Sequence, residues 1–128
     1  MERLLLDERI RGDGSVARSW ARREGVRIEL SDDDGARGAL SIAALDRVMC
    51  RYGRPLEADV AIGGDSLELP DGRRLSRLRY HAAVDAIARD YLVWERPGEA
   101  PLAVLATHAT AALRYLVARL SDTDPVET

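Results

Sequence analysis

The sequence predicts an α+β fold: a small antiparallel or mixed sheet, helices packed mainly on one face, and a long C-terminal helix central to the core or an interface. Three observations lead there. Short apolar runs are separated by Gly- and Pro-containing breaks. Alternating and helical periodicities occur without a clean βαβ order. The stretch Pro101 to Leu120, PLAVLATHATAALRYLVARL, carries a helical apolar stripe of Leu102, Leu105, Ala109, Leu113, Leu116 and Leu120. Its opposite side, Ala103, Ala106, Thr107, Thr110 and Ala111, is small and uncharged, as expected of a helix covered on both sides by its own domain or a second copy.

The elements follow in order. Residues 3–10 read as a short strand or a helical turn, and Gly12-Asp13-Gly14 is a break. Ser15 suits an N-cap for a helix from Val16 to Glu24, with Gly25 at its C-terminal end. Val26 to Leu30 alternates and reads as a strand with Val26, Ile28 and Leu30 inward. Ser31 to Gly38 reads as a loop. Aligned on Gly35 with a calcium-binding loop, it places Leu30 and Ser41 where ligands belong, so solvated turn chemistry is the better account. Ser41 then caps a helix over Ile42–Tyr52, which Gly53 ends and Arg54-Pro55 forbids from continuing. Leu56 to Ile62 suggests a strand. Ser66–Leu69 and Arg74–Leu78 flank Pro70-Asp71-Gly72 as a hairpin. A helix from Tyr80 to Arg89, with Val84, Ile87 and Ala88 inward, leads to a strand at Tyr91–Trp94 and a turn at Pro97-Gly98. Pro101 suits the first position of the long helix. A single domain over residues 1–120 with a frayed tail over 121–128 is the expected organisation.

Composition narrows the function classes. The chain has 128 residues, 46% hydrophobic and 32% charged, with a net charge of −3. That balance is globular, and it has no basic tail to favour nucleic acid or anionic lipid. All basic residues are Arg, while Lys, Asn, Gln and Phe are absent. GC-rich coding, a bacterial-like signature, explains this most simply and weakens the usual reading of Arg as a recognition residue. The single cysteine, Cys50, fits a reducing compartment, and its place near a helix C-terminus suits packing rather than nucleophilic chemistry. The uncharged part of the late helix falls short of the roughly 20 residues a bilayer requires. A soluble, cytoplasmic protein is expected.

Local catalytic signatures are missing: no phosphate loop, HExxH, paired CxxC or GxSxG occurs. Four candidates for chemistry remain, each against a plainer reading. His108, which shares a helical side with Val104, Ala112 and Tyr115, is a candidate acid/base or a satisfied buried histidine. His81 and Asp85, four apart, suit an oriented imidazole or two metal ligands, with Asp65, Glu68 or His108 as a third; a solvated pair is the plainer reading. Arg73, Arg74, Arg77 and Arg79, beside Tyr80 and His81, form one basic patch. Arg18, Arg22, Arg23 and Arg27 around Trp20 form another. Both patches have acids close by, which favours solvated faces over a nucleic-acid surface.

Three function classes follow. The first is a non-catalytic interaction, regulatory or accessory subunit acting through protein–protein contacts and self-association, with the apolar stripe as interface. The second is a small enzyme or small-molecule-binding domain. Its pocket lies between the C-terminal helix and the sheet, with His108, Tyr115, Asp85 and Trp94 as residues. The third is a nucleic-acid-binding module using the Arg patches. No cofactor, metal or membrane partner is expected.

Overall fold

Connections between the apolar runs are short, so neighbouring strands can pair in sequence order. The computed structural model describes residues 3–35, 37–57, 60–83 and 86–123. The first sheet is a meander of four strands, β1 (Leu4–Ile10), β2 (Val16–Glu24), β3 (Arg27–Asp32) and β4 (Arg37–Ser41). Helix α1 (Ile42–Tyr52) follows. The second sheet contains β5 (Arg54–Pro55), β6 (Ser66–Glu68), β7 (Arg74–Tyr80), β8 (Arg89–Glu95) and β9 (Leu102–Leu105), in the order β5-β9-β8-β7-β6. Helix α2 (Ala106–Thr123) closes the described chain. Each pairing is antiparallel, and α2 packs on the sheets: the fold is α+β.

The predicted helix over Val16–Glu24 is a strand, β2. Its side chains alternate, with Ala17, Ser19 and Ala21 buried and Arg18, Trp20 and Arg22 on the other face. That is a period of two, not 3.6. Ser15 does not cap a helix; its amide and hydroxyl both donate to Asp13 Oδ1 within the β1–β2 turn. The predicted inward Val26 sits in the tight β2–β3 turn beside Gly25, whose φ is +63°, and is 71% exposed. The expected loop over Ser31–Gly38 is shorter than predicted, because β3 runs to Asp32 and β4 starts at Arg37.

Helix α1 has the predicted bounds. Ser41 Oγ accepts from the Ala44 amide, and Leu45, Val48 and Met49 are buried. The Leu56–Ile62 strand is not formed among the described residues; β5 is confined to Arg54–Pro55. The predicted hairpin is formed by β6 and β7. The helix predicted from Tyr80 to Arg89 is not formed in the described part of that segment: Tyr80 ends β7, Arg89 begins β8, and Ile87 is 66% exposed. Val84 and Asp85 lie outside the described residues.

The long helix starts at Ala106, not Pro101. Leu102–Leu105 forms β9 between β5 and β8. A short apolar run suits strand and helix equally, and the unpaired edge of β8 decides the matter.

The sheets share one core. Leu4, Leu6, Ile28, Leu30 and Leu40 of the first sheet meet Leu75, Leu92, Trp94 and Val104 of the second around Leu45 and Met49 of α1 and Ala109, Leu113 and Val117 of α2. Tyr91, Val93 and Ala103 form a smaller cluster on the far face of the second sheet, under Leu56, Ile62, Leu78 and Ala82. This explains why the Tyr91–Trp94 run is buried without interruption: β8 is covered on both faces. Arg77 ties the sheets together, donating from Nη1 to Leu6 O at 2.7 Å and from Nη2 to Asp90 Oδ2 at 2.8 Å.

Candidate functional site

A groove lies between α2 and the first sheet. Strand register orders the side chains on that sheet, of which Leu6, Ser19, Leu30, Asp32 and Gly38 line the groove. Leu4 pairs with Ala21, and Ala21 with Leu30, which faces Gly38. In the next row, Asp7 pairs with Ser19 and Ser19 with Asp32. Leu6, in the irregularity between Leu5 and Asp7, adds a second inward apolar side chain from β1. Directly opposed residues on paired strands share a face, so a polar row Asp7–Ser19–Asp32 borders the apolar row.

Helix α2 forms the other wall with Arg114, Tyr115, Val117 and Ala118. Gly38, Ser19 and Ala118 carry little or no side chain, and helix and sheet cannot close over them. The groove holds about 350 Å³, mostly apolar in its walls. That is the lower end of the range for small-molecule sites.

The polar end of the groove is specific in its chemistry. Ser19 is 3% exposed, and its Oγ has no hydrogen-bond partner. Buried hydroxyls are normally paired, so one facing a groove points to something that enters it. The hydroxyls of Ser76 and Thr110 are also buried and unpartnered, but neither lines this groove. The Asp32 carboxylate is nearly buried; Arg114 Nη2 approaches its Oδ2 at 3.4 Å and the Asp34 amide donates to its Oδ1 at 3.0 Å. Burial pushes the Asp7 carboxyl above the usual carboxylate range, against the opposing pull of the Glu8 backbone and of Arg77, Arg9 and Arg114. Tyr115 stands at the rim, 65% exposed. Trp20 borders the groove and donates from Nε1 to Asp33, which holds that carboxyl below the usual range.

A second cleft, of about 490 Å³, lies where the first turn of α2 meets the second sheet. His108 lines it together with Tyr52, Arg54, Glu57, Tyr80 and Tyr91. The rings of Tyr80 and Tyr91 lie 4.6 Å apart. Burial, then Tyr91 and Glu57, pushes the Tyr80 phenol up, so it stays protonated at neutral pH. Glu57 Oε2 accepts from the Ala83 amide.

The structure therefore separates residues that sequence spacing grouped. His108 is exposed in the second cleft, while Tyr115 belongs to the first groove. Trp94 lines neither; it is fully buried and donates from Nε1 to Asp46 Oδ1 at 2.7 Å. His81 is exposed, and Asp85 lies outside the described residues. No group of three or more metal-ligating side chains occurs among the described residues. Cys50 is exposed, contrary to its expected role in packing; its thiol donates to Asp46 Oδ1, and burial and the Asp46 charge push its pKa up.

Of the apolar stripe, Ala109 and Leu113 are buried and Leu116 is half-buried; the Leu120 side chain lies outside the described residues. Leu102 and Leu105 belong to β9. On the opposite side, Ala103, Ala106 and Thr110 are buried, but Thr107 and Ala111 are exposed. Among the described residues, the flank of α2 that carries Thr107 and Ala111 is exposed.

The Arg73–Arg79 patch is matched by acids: Arg73 by Asp71, Arg74 by Glu95, and Arg77 and Arg79 by Asp90. In the second patch, Arg18 meets Glu8, and Arg22 meets Glu24 and Glu29.

Ser19, Asp32, Arg114 and Gly38, which line the groove, were missed by sequence reasoning. The signal was present in Ala17-Arg18-Ser19-Trp20-Ala21-Arg22, which alternates small with large side chains. Comparison with protein-family models, curated proteins and solved structures gives no match.

Proposed function

We propose that this chain is a non-catalytic binding domain that takes a small, largely apolar ligand into the groove between α2 and the first sheet. The supporting observation is an apolar hollow of about 350 Å³ whose wall contains the unpartnered Ser19 hydroxyl. An apolar body gains by leaving water there, at about 25 cal/mol per Å² buried, and a polar head meets the hydroxyl. The side chains around the hollow supply hydrogen bonds and charge beside its apolar walls. A regulatory or sensing role suits such a domain.

Titrating ¹⁵N-labelled protein with n-hexanol tests the reading. Saturable amide shifts confined to Ser19, Leu30, Val117 and Ala118 are expected. Ala118→Trp, a substitution at an exposed position on the groove wall, should abolish them without unfolding the chain. Unsaturable or dispersed shifts would sink the proposal.

A second reading, self-association through α2, is supported by its exposed flank of Thr107, Ala111, Tyr115 and Ala118. These small residues let a second helix approach closely, and Tyr115 supplies an aromatic anchor. Light scattering at high micromolar concentration should then report a dimer, and Ala111→Arg a monomer. A monomeric wild type removes this reading and leaves the first intact.

A further inference from the structure

We infer that the groove selects a ligand with an uncharged hydroxyl at one end of an apolar body, met by the Ser19 hydroxyl, and discriminates against the corresponding ions. The inference rests on the groove being a ligand site. Its basis is that the charges of the lining are already matched. Among the described residues, the charged members of the lining are Arg37, Arg114 and Asp32. Arg114 Nη2 stands 3.4 Å from Asp32 Oδ2, and Asp32 also accepts from the Asp34 amide and makes further contacts. Arg37 opposes Ser31, which opposes Trp20, so its side chain lies with that of Trp20 on the outer face of the sheet. There it approaches Glu29 at 3.9 Å and is 71% exposed, so a carboxylate and water attend its charge.

The buried polar group left over is the Ser19 hydroxyl, 3% exposed and without a hydrogen-bond partner. It is neutral, and it can both donate and accept. An alcohol head also does both, so it satisfies Ser19 in either sense. An ionised head enters at a loss, because it gives up hydration and meets only charges that are already engaged. A carboxylate would have to draw Arg114 from Asp32, and an ammonium would have to draw Asp32 from Arg114. Either exchange leaves one member of that pair without its partner beside an apolar wall. Next to the hydroxyl, Leu6, Leu30 and Val117 take the hydrocarbon body.

The test compares n-hexanol, hexanoate and n-hexylamine by the amide shifts of Ser19, Leu30 and Val117 at neutral pH in low salt. Hexanol should bind about tenfold more tightly than either ion, the scale of leaving a charged head without a partner. Asp32→Asn keeps an acceptor for the Asp34 amide but removes the charge that holds Arg114, so the deficit of hexanoate relative to hexanol should shrink several-fold. Ser19→Ala breaks no hydrogen bond within the protein, so the chain should fold. In that variant hexanol should weaken about fivefold, while 1-chlorohexane, which has no hydroxyl, should bind as before. An ion that binds the wild type as tightly as hexanol, a hexanoate deficit unmoved in Asp32→Asn, or equal effects of Ser19→Ala on hexanol and 1-chlorohexane would overturn the inference while leaving the groove a ligand site. No saturable binding of any probe removes the ligand-site reading itself.

Discussion

At the scale of single residues, the most consequential polar contact in the core is the bond from Trp94 Nε1 to Asp46 Oδ1, 2.7 Å long, joining β8 to α1. Trp94 is fully buried, and its indole N–H loses this acceptor if Asp46 is truncated. Asp46→Ala should cost about 1–3 kcal/mol in urea denaturation, and Asp46→Asn less, because the amide oxygen still accepts. Asp46 also sits beside Cys50. A neighbouring carboxylate stabilises the protonated thiol, so Asp46→Asn should speed alkylation of Cys50 at neutral pH. An unchanged rate would show that the carboxylate has no hold on the thiol.

Asp7 gives a pH prediction of definite sign. Its folded-state pKa is raised, chiefly by burial, so the folded chain binds this proton more tightly than the unfolded chain. The associated stability is present at low pH and is lost as pH rises through the carboxylate range. Asp7→Asn should therefore raise stability at neutral pH and flatten the fall between acid and neutral conditions. Thermal melts across that range check both effects.

At the scale of elements, α1 was legible because its signals are local. Ser41 caps it, the apolar residues recur at helical spacing, and Gly53 stops it. Ser41→Ala should cost about 1 kcal/mol. Gly53 is required for space rather than for a left-handed backbone, since its φ is −81°. A Cβ there would overlap the Met49 carbonyl oxygen and lie 2.9 Å from Leu102 Cβ. Gly53→Ala should therefore cost about 1–3 kcal/mol as an overpacking change, against a mild gain where a glycine is unconstrained. Equilibrium unfolding of both variants separates the cap from the clash.

Strands β2 and β9 were misread for a different reason. Short segments such as ARSWAR and LAVL satisfy helical and extended patterns alike, and the choice is made by partners. Strand β2 has β1 and β3 on either side, and β9 fills the gap between β5 and β8. The groove was missed along with β2. Ser19 and Asp32 are 13 positions apart in the chain and become neighbours only through strand register.

At the scale of the whole molecule, the shared core implies cooperative unfolding of both sheets. The two tryptophans report on them separately: Trp20 lies in β2 of the first sheet and Trp94 in β8 of the second. In a Trp20→Tyr variant, the fluorescence of Trp94 and far-UV circular dichroism should give superimposable denaturation curves. Separate transitions would show that the sheets are independent units. Arg77, which reaches β1 from β7, should add to this coupling; Arg77→Met should lower the common midpoint without splitting it.

The sequence alone determined the α+β class, helix α1, the β6–β7 hairpin and the strand at Tyr91–Trp94. Each of these is written in contacts within a few residues: a cap, a turn glycine, or a run of apolar side chains. Tertiary structure alone decided the division into two sheets, the identity of β2 and β9, the separation of His108 from Tyr115, and the row of Asp7, Ser19 and Asp32 beneath α2. Those features depend on which strand edge is open and which side chains oppose one another across it. Hydrogen-bond pairing between distant segments sets both, and local spacing does not encode it.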